Sequence, residues 1–486
     1  MNSILRKALI ALVTFFVVLF AVGAWFAQGN PTDRPISATI GHDPQIGDPE
    51  PERVPTVGIA KPIGWKPGEA PTAAAGLAVS RFAEGLNHPR TMLTLPNGDV
   101  LVAETNHPAE QGGGLFSWIV GYFYKEAGAG GASPNTIVLL RDGNGDGVAE
   151  QRFALRQDGL DSPSGMAWRA DKLYIANHDA VLAFDYRLGE TALSGTPRKL
   201  MALPAGGGHW MRNLLLSDDG KKLYVAVGSA SNIAENGITA EKGRAVIWEI
   251  DLASGRPREY GAGMRNPNGM DWNPATGELW TVVQERDQLG GDLVPDYLSN
   301  VPIGAQYGWP WVYWKDKIDE RVKDPMPDYL TEYVRKPEYA LGAHTAALGM
   351  RFAVAGNRLG ALYSNGAFIA RHGSWNRKPL SGYDVVFVTF DPNGNPRGMP
   401  LPVLGGFLAD QEHTHGRPTW LTFDKGGALL VSDDTAGIIW RVIAPGAAPS
   451  AGVKPVETDH MPPQTELNSE AEAMAAFKDQ VQDQQR

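Results

Sequence analysis

The sequence predicts an all-β chain, a six-bladed β-propeller with an N-terminal apolar helix before it and a short helical tail after it. Two observations carry the prediction. One pattern recurs six times: a polar loop, a short apolar strand, a turn of two to four residues holding Asp, Asn or Gly, and a second apolar strand. The copies are TMLTLPNGDVLVAET from Thr91, GMAWRADKLYIANHD from Gly165, LLLSDDGKKLYVAVGS from Leu214, GMDWNPATGELWTVVQE from Gly269, GMRFAVAGNRLGALYSNGAFIARHG from Gly349 and LTFDKGGALLVSDD from Leu421. Each is a hairpin signal. The copies fall at irregular intervals of about 50 to 80 residues, as blades do when insertions sit in outer strands and loops. A parallel β-helix would be more regular, and a sandwich would lack the self-similarity. The alternative is six unrelated hairpins in one large β-protein.

At the N-terminus Arg6 and Lys7 precede the uninterrupted apolar run Ala8 to Ala27. A run of about 20 apolar residues spans a bilayer as a helix, with its basic end cytoplasmic. Residues 1–27 therefore read as a signal anchor. The small-x-small triplet Ala21-Val22-Gly23 leaves a cleaved signal peptide as the alternative. Either way the body is exported, to the periplasmic face of a bacterial inner membrane or to the periplasm itself.

Residues 28–77 carry Pro31, Pro35, Pro44, Pro49, Pro51 and Pro55 without periodic apolar residues, and read as an extended linker. The propeller occupies 78–443. Residues 444–486 form a C-terminal tail in which Ser469-Glu470-Ala471-Glu472 is a capping-box pattern opening a short polar helix. The formal charge of −10, with no basic stripe, excludes a nucleic-acid scaffold. The absence of cysteine excludes disulfides and thiolate metal sites.

In a propeller, the loop before each innermost strand opens at one end of the central channel. Those loops hold Asn87-His88-Pro89-Arg90, Asp161-Ser162-Pro163-Ser164, Gly208-His209-Trp210-Met211-Arg212-Asn213, Arg265-Asn266-Pro267-Asn268, His344-Thr345 and His413-Thr414-His415-Gly416-Arg417. A mouth lined by arginine and histidine in an acidic protein suggests a small anionic ligand held by guanidinium groups. Arg265 and Arg417 are the first candidates. Arg371, Arg377 and Arg90 follow, each with an inter-blade ion pair as its alternative role. His209 comes after Gly206-Gly207-Gly208, which lets backbone approach a ligand closely, and its neutral-range pKa suits a general base. A structural hydrogen-bonding role is its alternative. Two acidic stretches are candidates for a hard cation. Asp142-Gly143-Asn144-Gly145-Asp146-Gly147 with Glu150 resembles half of a calcium loop but has Phe153 at position twelve, so it is not an EF-hand. Glu285-Arg286-Asp287 is the second. The apolar segment Leu115 to Tyr124 reads as a flap over the mouth, a membrane-surface contact, or a piece buried against a blade.

Taken together, GGGHWMRNLLLSDDGKKLYVAVGSASN, GMRNPNGMDWNPATGELWTVVQERDQLGGDLVPDY with the following YGWPW, HGSWNR and HGRPTWLTFDKGGALLVSDD give a resemblance over residues 78 to 443. The chain resembles the sorbosone dehydrogenase-like proteins, relatives of the soluble glucose dehydrogenases that use pyrroloquinoline quinone (PQQ) with Ca2+. The resemblance implies a sugar, polyol or aldehyde dehydrogenase. In it His209 is the catalytic base, and Arg265 with Asn266 polarises the quinone oxygens. His415 and Arg417 face the PQQ carboxylates, with His372 or Arg371 near the family's cofactor-binding lysine. The metal is implied near Glu285, Arg286 and Asp287, partly through main-chain carbonyls. Electrons leave to a separate acceptor, a quinone or a cytochrome, because no Cys-x-x-Cys-His is present.

The chain departs from the glucose dehydrogenases twice. Gly208 stands where they have an acidic residue before the catalytic histidine, and a substrate-contacting glutamine has no counterpart near Leu160 and Asp161. Both departures argue against glucose specificity. The alternatives are a calcium-dependent lactonase-type hydrolase, which needs axial carboxylates and asparagines rather than arginines, and a non-catalytic propeller that binds a glycan or a partner.

Overall fold

A computed structural model describes residues 29–108, 121–123 and 125–456, with Val13 and Thr14. Six antiparallel sheets follow one another along the chain as blades. Blade 1 consists of Pro89–Thr94, Val100–Glu104, Thr136–Arg141 and Gln151–Arg156. Blade 2 consists of Gly165–Arg169, Lys172–Ala176, Ala180–Asp185 and Arg198–Ala202. Blade 3 is Arg212–Leu216, Lys222–Val227, Val246–Asp251 and Pro257–Ala262. Blade 4 is Asn266–Trp272, Leu279–Gln284, Pro295–Asn300 and Tyr339–Ala343. Blade 5 is Ala347–Phe352, Gly366–Arg371, Asp384–Phe390 and Pro396–Gly405. Blade 6 takes three strands from the end of the propeller, Pro418–Phe423, Leu429–Asp433 and Ile438–Ile443, and its outermost strand, Ala78–Ala83, from the beginning. The six repeats of the sequence are the inner hairpins of the six blades. The closing strand ties the two ends of the ring together, so no blade edge is left to open at the junction.

The second strand of each blade is sandwiched between neighbouring blades and so reads as a continuous apolar run; Val100–Glu104, Lys222–Val227 and Leu429–Asp433 are buried at every position. The outermost strand of blade 6 meets water on one side and alternates instead. The core lies between blades. Tyr224, Met270 and Val283 pack between blades 3 and 4, and Phe368, Phe387, Leu421 and Trp440 between blades 5 and 6.

The Pro-rich segment before the propeller is extended and docked. Ile40–Gly41 adds to the outer strand of blade 4, Thr72–Ala73 adds to that of blade 5, and Lys61–Pro62 runs parallel to His413–Thr414. Among the described residues no helix is long and apolar enough to cross a membrane. The apolar run Ala8 to Ala27, except Val13 and Thr14, lies outside the described residues. So do the capping-box tail and all of the Leu115–Tyr124 segment except residues 121–123.

Register decides what shares the mouth. Each inner strand begins opposite the end of its second strand, as in the pairs Pro89 with Glu104, Arg212 with Val227, Asn266 with Gln284, Ala347 with Arg371, and Pro418 with Asp433. The loop after each second strand therefore opens at the same end as the loop before each inner strand. Two sets of loops converge there.

Candidate active site

His209 is delivered by a loop that only glycine allows. Gly206 and Gly207 have φ of 74° and 84°, and a Cβ on Gly207 would sit 2.6 Å from the Ala230 backbone. Two buried arginines grip the loop from beneath. Arg212 donates to the carbonyls of Pro204, His209 and Met211, and Arg244 to those of Pro204, Ala205 and Gly206.

The half-buried His209 ring meets the loop after the second strand of blade 3. Its Nδ1 lies 2.9 Å from the Ser229 carbonyl and 3.0 Å from Ser229 Oγ. A carbonyl only accepts, and the Ser229 hydroxyl donates its own proton to Ser231 O at 2.6 Å. Nδ1 therefore carries the hydrogen, and the lone pair is on Nε2. The 230–231 backbone is pinned in turn by the Glu241 carboxylate, which accepts from Ala230 N and from Ser231 N and Oγ. Burial, and then the Arg265 guanidinium, push the His209 pKa down from 6.5 to about 3. The imidazole is thus neutral at physiological pH and oriented without an acidic neighbour, which accounts for Gly208.

Arg265 and Asn266 open the inner strand of blade 4. Arg265 donates from Nη1 to Glu285 O at 2.7 Å, from Nε to Asn232 O at 3.2 Å, and from Nη2 to Asp287 Oδ2 at 2.7 Å. Two of its five N–H groups remain. Asn266 donates to Gln284 Oε1 at 3.0 Å. Gly228 holds the histidine and the asparagine together: a Cβ there would lie 2.3 Å from Asn266 Oδ1 and 2.7 Å from His209 Cβ. Asp287 bridges Arg265 and His344 Nδ1, the latter at 3.4 Å. Burial raises the carboxyl pKa, but Arg265 and His344 outweigh it and hold Asp287 below the usual range. Burial likewise opposes charge on His344, and Asp287 outweighs it, raising the imidazole.

Blades 5, 6 and 1 build the other half of the mouth around Asp434. It pairs with Arg90 and accepts from His372 Nε2 at 3.0 Å. Burial opposes its ionisation, yet His372 and Arg90 hold it far below the usual carboxylate range. Arg90 also stacks over Trp210, which joins this half to the His209 loop. His415 donates from Nδ1 to Gly64 O at 2.9 Å and stacks on Trp65 at 4.6 Å.

Arg417 is buried, 8% exposed, with its Cζ 5.1 Å from the centre of the Tyr383 ring. Among the described residues its guanidinium has no hydrogen-bond or ion-pair partner, and its Nε is buried and unsatisfied. A buried guanidinium without a counter-ion is unfavourable unless a ligand supplies one. An anionic cofactor fits that half of the mouth.

Other sequence candidates lie elsewhere or are already engaged. Arg371 forks onto Asp384 and donates to Leu341 O, an inter-strand brace. Arg377 serves Pro379 O, Arg34 O and Asp292. Arg286, fully buried, donates to Pro310 O and Val312 O and pairs with Glu285 and Asp319. The carbonyl of Glu285 accepts from Arg265, and that of Asp287 from Asn232 and Arg321. The carbonyls of Glu285 and Asp287 are thus already engaged by donors of the protein. Asp142, Asp146 and Glu150 do gather within 4.8 Å, but on the loop between the third and fourth strands of blade 1, at the opposite end of the ring. Ser229 and Asp434 are among the site residues that sequence reasoning missed. Both belong to loops after second strands, and the antiparallel register of the hairpins is the signal that finds them.

The TrAA12-like family matches residues 71–302 and 323–445. An uncharacterized protein of Borreliella burgdorferi is 28% identical over 294 residues, covering 58% of this chain and 76% of its own. A pyrroloquinoline quinone-dependent sugar dehydrogenase of Hypocrea jecorina is 25% identical over 391 residues, 66% of this chain and 87% of its own. Among solved structures, the holo form of the pyranose dehydrogenase PQQ domain from Coprinopsis cinerea superposes with a TM-score of 0.60 at 20% identity, over 79% of this chain and all of that one, and shares the fold.

Proposed function

This chain belongs to the TrAA12-like family, six-bladed propellers related to PQQ-dependent sugar dehydrogenases, and we propose that it oxidises a sugar, polyol or related aldehyde in the mouth described above. The single observation that carries the proposal is the presence, in one mouth, of a neutral imidazole with its lone pair on Nε2 and a buried guanidinium that has no counter-ion among the described residues. The first suits a base and the second an anionic cofactor.

PQQ, when bound, supplies the hydride acceptor that no side chain of the protein provides. Arg417, with His415 and His372 beside it, would hold its carboxylates. The two remaining N–H groups of Arg265, with Asn266, would stabilise negative charge that develops beside His209. His209 Nε2 takes the proton of the substrate hydroxyl, and the Ser229 carbonyl stabilises the resulting imidazolium through Nδ1–H. Asp287 and His344 fix the guanidinium of Arg265 so that it need not reorganise. No step is assigned to calcium at residues 285–287, because a cation there would compete with Arg265 and Arg321 for the carbonyls. Arg371 is assigned to the fold rather than to the cofactor.

The test is a panel of aldoses and polyols offered to the PQQ-loaded protein with a soluble electron acceptor, beside His209→Asn. Turnover by the parent and loss of turnover with unchanged PQQ binding in the variant are expected. Equal turnover by both would remove His209 from the reaction.

A further inference from the structure

The docked N-terminal segment begins where the apolar run ends, and it begins on the mouth face. Thr32 N donates to Lys378 O at 2.9 Å, Thr32 Oγ1 to Asp292 Oδ2 at 2.5 Å, and Asn30 N to Thr56 Oγ1 at 2.7 Å. The segment then crosses the loops that carry the site, with Glu52 N on Gln288 O at 3.0 Å and Ile63 N on Thr414 O at 2.8 Å. From Ala27 to Asn30 there are three residues, which fully extended reach about 11 Å at most. A bilayer holding Ala8 to Ala27 would therefore lie against the mouth face rather than the opposite end of the ring.

Apolar side chains are exposed along the same rim. Ile63 is 56% exposed, Trp375 43% and Phe123 40%; Val54 is exposed on the same docked segment as Ile63, and Tyr122 is exposed next to Phe123. The docked segment joins them: Gly58 N donates to Trp375 O at 2.7 Å, and Lys61 Nζ pairs with Glu126 at 2.6 Å, next to the Tyr122–Phe123 pair. Leu188 and Leu362, exposed at the opposite end, lie on separate blades, after the third strand of blade 2 and between the first two strands of blade 5. Scattered singles need no partner, whereas a group beside a membrane-length apolar run does.

We propose that the rim formed by Val54, Ile63, Tyr122, Phe123 and Trp375 rests on the surface of the lipid bilayer into which Ala8 to Ala27 inserts, so that the propeller stands with its mouth edge against the membrane. Aromatic and aliphatic side chains of this kind partition into the headgroup boundary. The rim spans blades 5, 6 and 1. The opposite side of the mouth, with Asp161 and Gly206 to Gly208 exposed, faces water and admits a polar substrate. The proposal does not depend on the cofactor or the reaction.

The chain has no cysteine, so single labels are easily placed. Ile63→Cys, Phe123→Cys and Trp375→Cys, with Leu188→Cys and Leu362→Cys from the opposite end, are made in the full chain and labelled with a polarity-sensitive fluorophore. The proteins are reconstituted into vesicles of phosphatidylethanolamine and phosphatidylglycerol that carry a lipid-borne nitroxide quencher. The first three labels are expected to shift to the blue and to be quenched severalfold more strongly than the other two. A reversed pattern, aqueous emission from all five, or failure of the full chain to float with the vesicles overturns the proposal.

Discussion

At the scale of single residues, the proposed site depends on one tautomer and on one guanidinium that has no counter-ion among the described residues. The His209 pKa is lowered in the fold from 6.5 to about 3. The folded protein therefore binds that proton less readily than the unfolded chain does. The stability His209 contributes is complete above pH 6.5 and is lost as pH falls through that window towards 3. Thermal melts across it should flatten in His209→Asn, and a slope unchanged by the substitution contradicts the assignment. Turnover in His209→Asn should fall about 10²- to 10⁴-fold, the usual worth of a positioned base. Gly228→Ala forces a Cβ onto Asn266 and His209, an overpacking of about 1–3 kcal/mol that should appear in both melting temperature and turnover. That His209 and Arg265 share one mouth was legible in the sequence, because a glycine run before a histidine and an Arg-Asn pair at a strand start are local signals. Ser229 acts through its main-chain carbonyl, and no side-chain pattern reports that. Which partner Arg371 takes was not legible, because Asp384 lies on the adjacent strand and pairing across strands is not visible in a single one.

At the scale of strands and loops, the contrast between Arg417 and Arg371 is the sharpest expectation. Arg417 precedes the inner strand of blade 6 with no counter-ion among the described residues, so Arg417→Ala should leave folding intact and weaken PQQ binding by more than about tenfold, roughly 1.4 kcal/mol. Arg371 ends the second strand of blade 5 in a fork onto Asp384, so Arg371→Ala should cost about 2 kcal/mol of stability by leaving that carboxylate without its donors. Calorimetry and denaturant unfolding of the two variants separate the roles, and the opposite assignment of effects contradicts them. The six hairpins were legible because each repeats a turn between two apolar runs. Where the Pro-rich segment docks was not. It adds two-residue edges to blades 4 and 5, contacts too short to leave a period.

At the scale of the whole molecule, the ring closes through Ala78–Ala83, and the mouth is assembled from loops of all six blades. Deletion up to residue 66 keeps the closing strand and should yield a folded propeller, by circular dichroism, with weaker PQQ binding, because His415 loses Gly64 and Trp65. Deletion up to residue 84 removes the fourth strand of blade 6 and should abolish cooperative unfolding. The proposed chemistry also needs the ring, since His209 comes from the loop before blade 3, Arg265 from the loop before blade 4 and Arg417 from the loop before blade 6. The most direct measurement of the central claim is titration of the purified protein with PQQ, followed by quinone absorbance and heat, beside Arg265→Ala and Arg417→Ala. Saturable binding that both substitutions weaken at least about tenfold is the predicted result. Absence of binding, or binding that neither substitution affects, contradicts a quinoprotein site in this mouth.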